Sequence, residues 1–186
     1  MSRPFDEHKR EELLRDVIAY LEREGVANLS LRPLAAELGT SARMVLHYFG
    51  SKEALVARAL AAARPDIDDL VHHIDSLDDL RDATYAIWRS ITRGAQRSSL
   101  HVLNEVMGLA VAQPDEFGPT AVDSVQAWLR PVRDALVELG RTPTEATTIA
   151  TILVSGLRGL AMDLAVTRER SRVDRAAYAL IDVVLA

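Results

Sequence analysis

The sequence has no cysteine among its 186 residues. Without cysteine the chain can form no disulfide framework, no thiolate zinc site and no cysteine nucleophile. Aromatic residues make up only 5% of the chain, and glycine and proline are concentrated at a few positions. Because alanine and leucine, which favour helices, are abundant in the remainder, we expect an all-α fold.

Long apolar runs are also missing. Nowhere do eighteen consecutive apolar residues occur, which is the length that indicates a membrane-spanning helix. The charged first ten residues lack the apolar stretch of a signal peptide. We therefore expect a cytoplasmic protein that does not bind a membrane.

The sequence lacks the short motifs of common enzymes. It contains no Gly-x-Ser-x-Gly, no His-Glu-x-x-His, no phosphate-binding glycine loop and no dinucleotide fingerprint. Asp69, His72 and His73 are the nearest approach to a metal-binding pattern, but adjacent histidines on a helix point about 100° apart and cannot share one ion without distortion. We predict no enzymatic activity, no catalytic residue, no cofactor and no bound metal.

The chain also lacks an excess of positive charge. Its net charge is −5, with nine basic and nine acidic side chains among residues 1–60 and an acidic excess in the remainder. Proteins that coat nucleic acids nonspecifically depend on many lysines and arginines, since counterion release supplies most of that affinity. The balance argues against a coat protein but permits a sequence-specific DNA-binding protein.

The first part of the chain shows a helix followed by two short helices. Apolar residues at helical spacing predict the first over residues 6–24, ending at Gly25. The second is capped by Ser30 and closed by Gly39, and the third starts at the capping residue Ser41 and runs to about residue 48. Two short helices joined by a glycine turn indicate a helix-turn-helix. A longer helix follows from Lys52.

Coarser patterns predict further helices in the later part of the chain. Turn and capping residues separate segments at 66–74, 77–97, 99–113, 119–139, 144–169 and 173–186. The break before residue 119 is predicted from Pro114 and Pro119. We expect a boundary after residue 51, between the helix-turn-helix region of residues 1–51 and the helical remainder of residues 52–186.

The second short helix of the pair has an outward face suited to contact. Helical geometry places Val45 at the centre of the inward face, with Ala42 and Phe49 beside it. The outward and flanking positions are Arg43, Met44, Leu46 and His47. So many contact-forming side chains on a short helix indicate a binding face. The alternative is that Met44 and Leu46 pack against a neighbouring helix.

These side chains have the chemistry for reading DNA. In the major groove, arginine pairs with guanine and apolar groups touch the thymine methyl. Phosphates require donors around the reading helix, and the residues placed to provide them are Ser30, Arg32, Ser41, Tyr48 and Lys52. Lys52 is favoured because it starts a helix with its positive dipole end. The alternative reading is an ordinary surface lysine.

The residues of this region resemble a known family. The matching segments are Leu34-Ala35-Ala36-Glu37-Leu38-Gly39, then Ser41, then His47-Tyr48-Phe49-Gly50-Ser51-Lys52-Glu53-Ala54-Leu55. They resemble the DNA-binding motif of the tetracycline-repressor (TetR) family over roughly residues 8–60. The resemblance implies phosphate contacts by Tyr48 and Lys52, with Arg32 near the groove. It implies base reading by Ala42, Arg43, Met44 and Leu46.

Two positions depart from the family pattern. Family members often have glycine or proline where this chain has Arg43, and often tyrosine where it has Leu46. The leucine removes a hydroxyl contact, and the arginine adds a cationic one. The operator sequence therefore cannot be transferred from a relative.

The resemblance also implies a homodimer in which the last two long helices pair with those of a second copy. The residues predicted for that interface are Ile152, Gly156, Leu160, Tyr178, Ile181 and Leu185. Such apolar stripes are equally expected of a core within one chain. A twofold dimer would supply a second DNA half-site.

The resemblance further implies an effector site in the middle helices, so that residues 1–51 would form the DNA-binding domain and residues 52–186 a helical effector-binding and dimerisation domain. The candidates are the large or polar residues that interrupt apolar faces: Trp88, His101, Asn104, Glu105, Met107, Trp128, Arg158 and Met162. The alternative for each is an ordinary core or surface role. This mixture of apolar and polar candidate residues suggests a small, largely apolar ligand with one or two hydrogen-bonding groups.

The predicted function is a regulator that binds double-stranded operator DNA. The family's usual mode is a repressor released by ligand, although activators and corepressed variants exist. An effector can release DNA only by binding better to a conformation whose two DNA-reading regions are wrongly spaced. The alternative is a helical protein-interaction module without DNA binding.

Overall fold

The structure, a computed structural model, describes residues 6–63, 74–93 and 97–186, without the side chains of residues 97–99. Every regular element in these ranges is a helix, which confirms the predicted all-α fold. The helices are α1 (Glu7–Glu24), α2 (Leu31–Glu37), α3 (Ala42–Phe49), α4 (Lys52–Ala63), α5 (Leu77–Arg93), α6 (Arg97–Ala112), α7 (Pro114–Glu138), α8 (Pro143–Thr167) and α9 (Arg170–Val184). The predicted helix over residues 66–74, with Asp69, His72 and His73, lies outside the described residues.

The chain divides into two compact units. Unit 1 consists of Met1–Arg64 and Ser98–Ser124, and unit 2 of Pro65–Arg97 and Val125–Ala186. Unit 1 thus groups most of α6 and the start of α7 with the first four helices. The functional boundary predicted after residue 51 stays a prediction.

Unit 1 is held together by an apolar core. Asp6 begins α1, its side chain accepting a hydrogen bond from the backbone N–H of Lys9 at 3.1 Å. The buried residues of the core come from six helices and include Leu13, Val17, Leu21, Leu34, Val45, Phe49, Leu55, Val56, Val102, Val106 and Phe117. Burial of these side chains supplies most of the driving force for folding this unit. It also gives the helix-turn-helix a rigid base.

The predicted break over residues 114–119 is wrong, because α7 runs without interruption from Pro114 to Glu138. Pro114 is the first residue of the helix, where its missing N–H would have no partner in any case. One turn further on, Phe117 and Ala121 are buried in the core of unit 1. Their burial favours a continuous helix at a position where Pro119 alone would disfavour it.

In unit 2, α8 and α9 pack closely together. Thr142 and Glu145 form a capping box at the start of α8, the Glu145 backbone N–H lying 3.3 Å from the Thr142 hydroxyl oxygen. The buried stripe of α8 consists of Ala146, Ala150, Leu153, Leu157, Ala161 and Leu164. A Cβ added at Gly156 would lie 2.5 Å from a side-chain carbon of Leu180. The glycine therefore allows α9 to approach.

A buried polar group joins α9 to α5. The Trp88 Nε1–H donates to an Asp174 carboxylate oxygen at 2.9 Å, and the Arg93 guanidinium donates to the other oxygen. Burial by itself raises the pKa of Asp174, but the hydrogen bonds from Trp88 and Arg93 outweigh it and hold that pKa below its ordinary value. The carboxylate is therefore ionised and paired in the folded protein.

Candidate nucleic-acid interface

Local sequence fixes the position of α3. The Ser41 hydroxyl caps the helix by accepting from the backbone N–H of Met44 at 3.2 Å. Gly39, with φ +62°, makes the turn from α2 in a conformation that side chains rarely adopt. Val45 and Phe49 are buried in the core of unit 1. The opposite face of α3 is consequently turned away from that core.

The outward face of α3 holds the predicted base-reading side chains. Arg43 and His47 are exposed, Met44 is half-buried, and 38% of Leu46 is exposed. Ala42 is also half-buried and packs against the core. The predicted orientation of the helix is confirmed, whereas contact of these side chains with DNA stays a prediction.

The predicted phosphate-contacting residues surround this face. Ser30 precedes α2 and Arg32 lies in its first turn, and both are exposed. Tyr48 is half-buried, with its ring 5.5 Å from that of His47 in an edge-to-face arrangement. Lys52 begins α4, which Ser51 caps by accepting from the Ala54 backbone N–H at 3.1 Å. Helix starts of this kind favour anions such as phosphate.

Two acidic side chains near this region are engaged within the protein. The Arg23 guanidinium donates to both carboxylate oxygens of Glu37, at 2.8 and 2.7 Å, and so joins α1 to α2. A hydrogen bond with Ser51 lowers the pKa of Glu53. The ion pair offsets one negative charge beside the helix-turn-helix.

The candidate effector residues of unit 1 have several different surroundings. Glu105 accepts hydrogen bonds from backbone N–H groups, and exposed His101 lies 3.2 Å from it. Met107 packs against the core. The Asn104 side-chain oxygen is buried and lacks a hydrogen-bond partner among the described residues.

The candidates of unit 2 also differ from one another. Trp88 is fully buried and donates a hydrogen bond to Asp174, so it belongs to the core of the protein. Trp128 is half-buried, and Met162 is exposed. Arg158 is half-buried, and this desolvation lowers the pKa of its guanidinium. Effector binding by any of these residues stays a prediction.

A small apolar pocket lies in unit 1, and none of the candidate effector residues lines it. It is lined by Ile18, Leu21, Glu22, Ala59, Ala63 and Val102. No group of three potential metal-ligating side chains was found within the described ranges.

The predicted dimer interface needs correction at two residues. Ile181 and Leu185 are buried within the protomer, so they cannot form an exposed face in this structure. Ile152, also predicted for the interface, is exposed, and the other large apolar side chains exposed on α8 and α9 are Met162, Val166 and Val183. Helical spacing places the three α8 residues on one face, a signal that the sequence did contain.

Helix α8 is unusually apolar for its exposure. Its most apolar window has a mean hydropathy of 1.6, with 33% of that window buried. By length and composition α8 alone among the described helices would be able to cross a membrane, which is weak evidence for a span. A surface helix of this composition equally suits a protein interface.

Comparison with known families identifies the helix-turn-helix region. Residues 18–59 match the model of "Bacterial regulatory proteins, tetR family". The matched range contains α2, α3 and most of α4. It therefore covers the residues arranged around the outward face of α3.

One curated relative supports this assignment over part of the chain. The HTH-type transcriptional regulator BetI of Stenotrophomonas maltophilia (strain R551-3) is 31% identical over 81 residues. The match covers 42% of this chain and 41% of the relative. The chain thus spans about two fifths of the length of that curated relative.

Solved structures share the fold along nearly the whole chain. A TetR-family transcriptional regulator from Cytophaga hutchinsonii matches with a TM-score of 0.77 at 16% identity, covering 99% of this chain and 96% of the other. SmeT, the repressor of the Stenotrophomonas maltophilia multidrug efflux pump SmeDEF, matches with a TM-score of 0.70 at 17% identity, covering 95% and 88%. Similarity at this level of identity indicates the fold alone. The family model thus identifies residues 18–59 as a helix-turn-helix region of the tetR family of bacterial regulatory proteins, and the fold beyond that region is similar to that of solved TetR-family regulators.

Proposed function

We propose that this protein is a sequence-specific DNA-binding transcriptional regulator that acts as a homodimer, and that it is a repressor released from its operator by a small-molecule effector. The observation that carries the proposal is the outward face of α3. There Arg43 and Leu46 point away from a core that Val45 and Phe49 anchor.

The chemistry of this face supports base recognition. The Arg43 guanidinium can donate two parallel hydrogen bonds to a guanine, and Leu46 can contact a thymine methyl. A bidentate pair of this kind discriminates against a wrong base by about 1–3 kcal/mol. Lys52 at the start of α4 is placed to contact a phosphate, which orients the protein without reading sequence. Arg43 therefore has the specificity role, and Lys52 an affinity role.

The exposed apolar face of α8 supports a homodimer. About half of Ile152 and Met162, and 77% of Val166, are exposed to solvent in the protomer. A second copy related by a twofold axis would bury the same face of both chains. It would also present two α3 helices to two DNA half-sites.

The effector part of the proposal relies on unit 2. Arg158 is half-buried and its pKa is lowered by desolvation, a cost that an acceptor group on a ligand would offset. Trp128, also half-buried, offers an apolar surface. These features favour a largely apolar ligand with a hydrogen-bond acceptor. The proposed sign of regulation is that of SmeT, a repressor that shares this fold.

Selection of binding sites from random duplex DNA tests the proposal. Purified wild-type protein should enrich a palindromic sequence and bind it more tightly than competitor DNA. Failure to enrich any sequence would count against DNA recognition and would favour a helical protein-interaction module.

Two variants separate base reading from phosphate contact. Arg43→Ala should lower affinity for the selected site by about 1–3 kcal/mol and relax the preference at one position. Lys52→Ala should weaken binding to all sequences and reduce the salt slope by about one. Arg89→Ala is the matched control, since Arg89 is an exposed arginine of unit 2. Equal losses in all three variants would contradict the assigned roles.

A further inference from the structure

Glu105 makes a long-range contact within unit 1. Its Oε2 atom accepts hydrogen bonds from the backbone N–H groups of Val26, at 2.6 Å, and Ala27, at 3.2 Å. Glu105 lies on α6, whereas Val26 and Ala27 form the start of the turn from α1 to α2. A side chain of α6 therefore satisfies the backbone of the segment that leads into the helix-turn-helix.

Gly25 provides the space for this contact. Its φ of +80° and ψ of 163° belong to a region of backbone conformation that is essentially restricted to glycine. A Cβ at this position would lie 2.8 Å from both carboxylate oxygens of Glu105. The glycine thus allows the turn conformation and also the close approach of the carboxylate.

The surroundings make the contact strong and fixed. The Glu105 side chain is only 23% exposed, and charged acceptors form stronger hydrogen bonds when they are screened from water. Val26 on the turn and Val106 on α6 are both fully buried in the core of unit 1. His101 lies 3.2 Å from the other carboxylate oxygen. Apolar packing joins the two segments, and the two hydrogen bonds fix their register.

We propose that Glu105 is a positioning residue for DNA binding, an inference that rests on the proposed function. Its carboxylate fixes the turn before α2 against α6, and so sets the position in which α2 and α3 are presented to DNA. A shift of α6 along its axis must either break both hydrogen bonds or carry the turn with it. Glu105 would therefore help to set the spacing of the two α3 helices in the proposed dimer.

The test uses the full chain and three variants. Glu105→Ala removes the acceptor, while Glu105→Gln keeps an acceptor oxygen without its charge. Glu11→Ala is the matched control, because it removes one exposed carboxylate from α1. Amide hydrogen exchange at Val26 and Ala27 is measured by NMR, and DNA affinity is measured on selected operators whose half-sites are moved apart or together by one or two base pairs.

Glu105→Ala should speed exchange at both amides by about tenfold or more, since a hydrogen bond to a charged group is lost. It should also weaken binding to the best-spaced operator by about tenfold and flatten the preference among spacings. The exchange rates and the operator affinity of Glu105→Gln should lie between those of Glu105→Ala and wild type, and those of Glu11→Ala should match wild type. Loss of stability alone would lower the amount of active protein but would not change its preference among spacings.

Two results would overturn the inference while leaving the proposed function intact. One is an amide exchange rate at Val26 and Ala27 that is the same in Glu105→Ala as in wild type, which would mean that the contact does not protect the turn. The other is faster exchange with an unchanged spacing preference, which would make the contact structural only. A wild-type protein that selects no operator would instead overturn the proposed function, and the positioning role with it.

Discussion

Replacing Asp174 with alanine should destabilise the protein through unit 2. Trp88 is fully buried, and its indole N–H has Asp174 as its acceptor. Leaving that donor without a partner costs about 1–3 kcal/mol. The second contact is with Arg93, whose side chain is 49% exposed, so its loss adds only about 0–1 kcal/mol. We expect a total loss of about 1–4 kcal/mol.

The loss of unfolding free energy is measured by thermal and urea unfolding, followed by circular dichroism. All variants are compared at one protein concentration, because the stability of a dimer depends on concentration. For a chain of this length the expected decrease in Tm is about 2–16 °C. Asp134→Ala is the control, since Asp134 is an exposed carboxylate whose one ion-pair partner among the described residues is its neighbour Arg133. Equal losses for Asp174→Ala and Asp134→Ala would refute the reasoning.

A double-mutant cycle and a pH series sharpen the test. Trp88→Phe removes the donor, so Asp174→Ala should cost less in that background than in wild type. The folded-state pKa of Asp174 lies below its ordinary value of 3.8. The stability that its charge contributes is therefore present above that value and is lost as the pH falls through the lower folded-state pKa. The difference in unfolding free energy between wild type and Asp174→Asn should accordingly shrink below about pH 4.

Three further predictions concern the backbone, a helix cap and the dimer. Gly50 has φ +85°, and no atom lies within 4 Å of a Cβ added there. Gly50→Ala should therefore cost about 1–3 kcal/mol of unfolding free energy through backbone strain alone. The control is Gly118→Ala, in open space on α7, which should not destabilise the protein. Thr142→Ala should cost about 1 kcal/mol by removing the capping box of α8, as thermal unfolding would measure. Ile152→Asp should convert a dimer to monomers in sedimentation, whereas Val111→Asp, at an exposed position of unit 1, should leave the dimer intact.

Local chemistry in the sequence predicts the helix-turn-helix well. Ser41 and the glycine turn before it define where α3 begins. One apolar face had to meet the core, so the positions of Val45 and Phe49, about one helical turn apart, determined which side chains point outward. Each of these signals lies within a few residues of the feature that it predicts. The same is true of the capping residues of α1 and α4.

Features that depend on distant contacts were not predictable in this way. Pro119 indicates a break by local rules, but burial of Phe117 and Ala121 favours a continuous α7. An apolar stripe does not reveal whether it faces the same chain or a second copy, which is why Ile181 was assigned to the wrong surface. No sequence signal pairs Glu105 with a turn 79 positions away.

The measurement that tests the central claim most directly is the ratio of affinities for the selected operator and for a scrambled duplex of the same length, at one physiological salt concentration. For a specific regulator the ratio should be about a thousand or more in the wild-type protein. In Arg43→Ala it should fall by about tenfold, since a base contact on α3 is lost. Equal affinity for the two duplexes, or an unchanged ratio in Arg43→Ala, would contradict recognition of DNA through the outward face of α3.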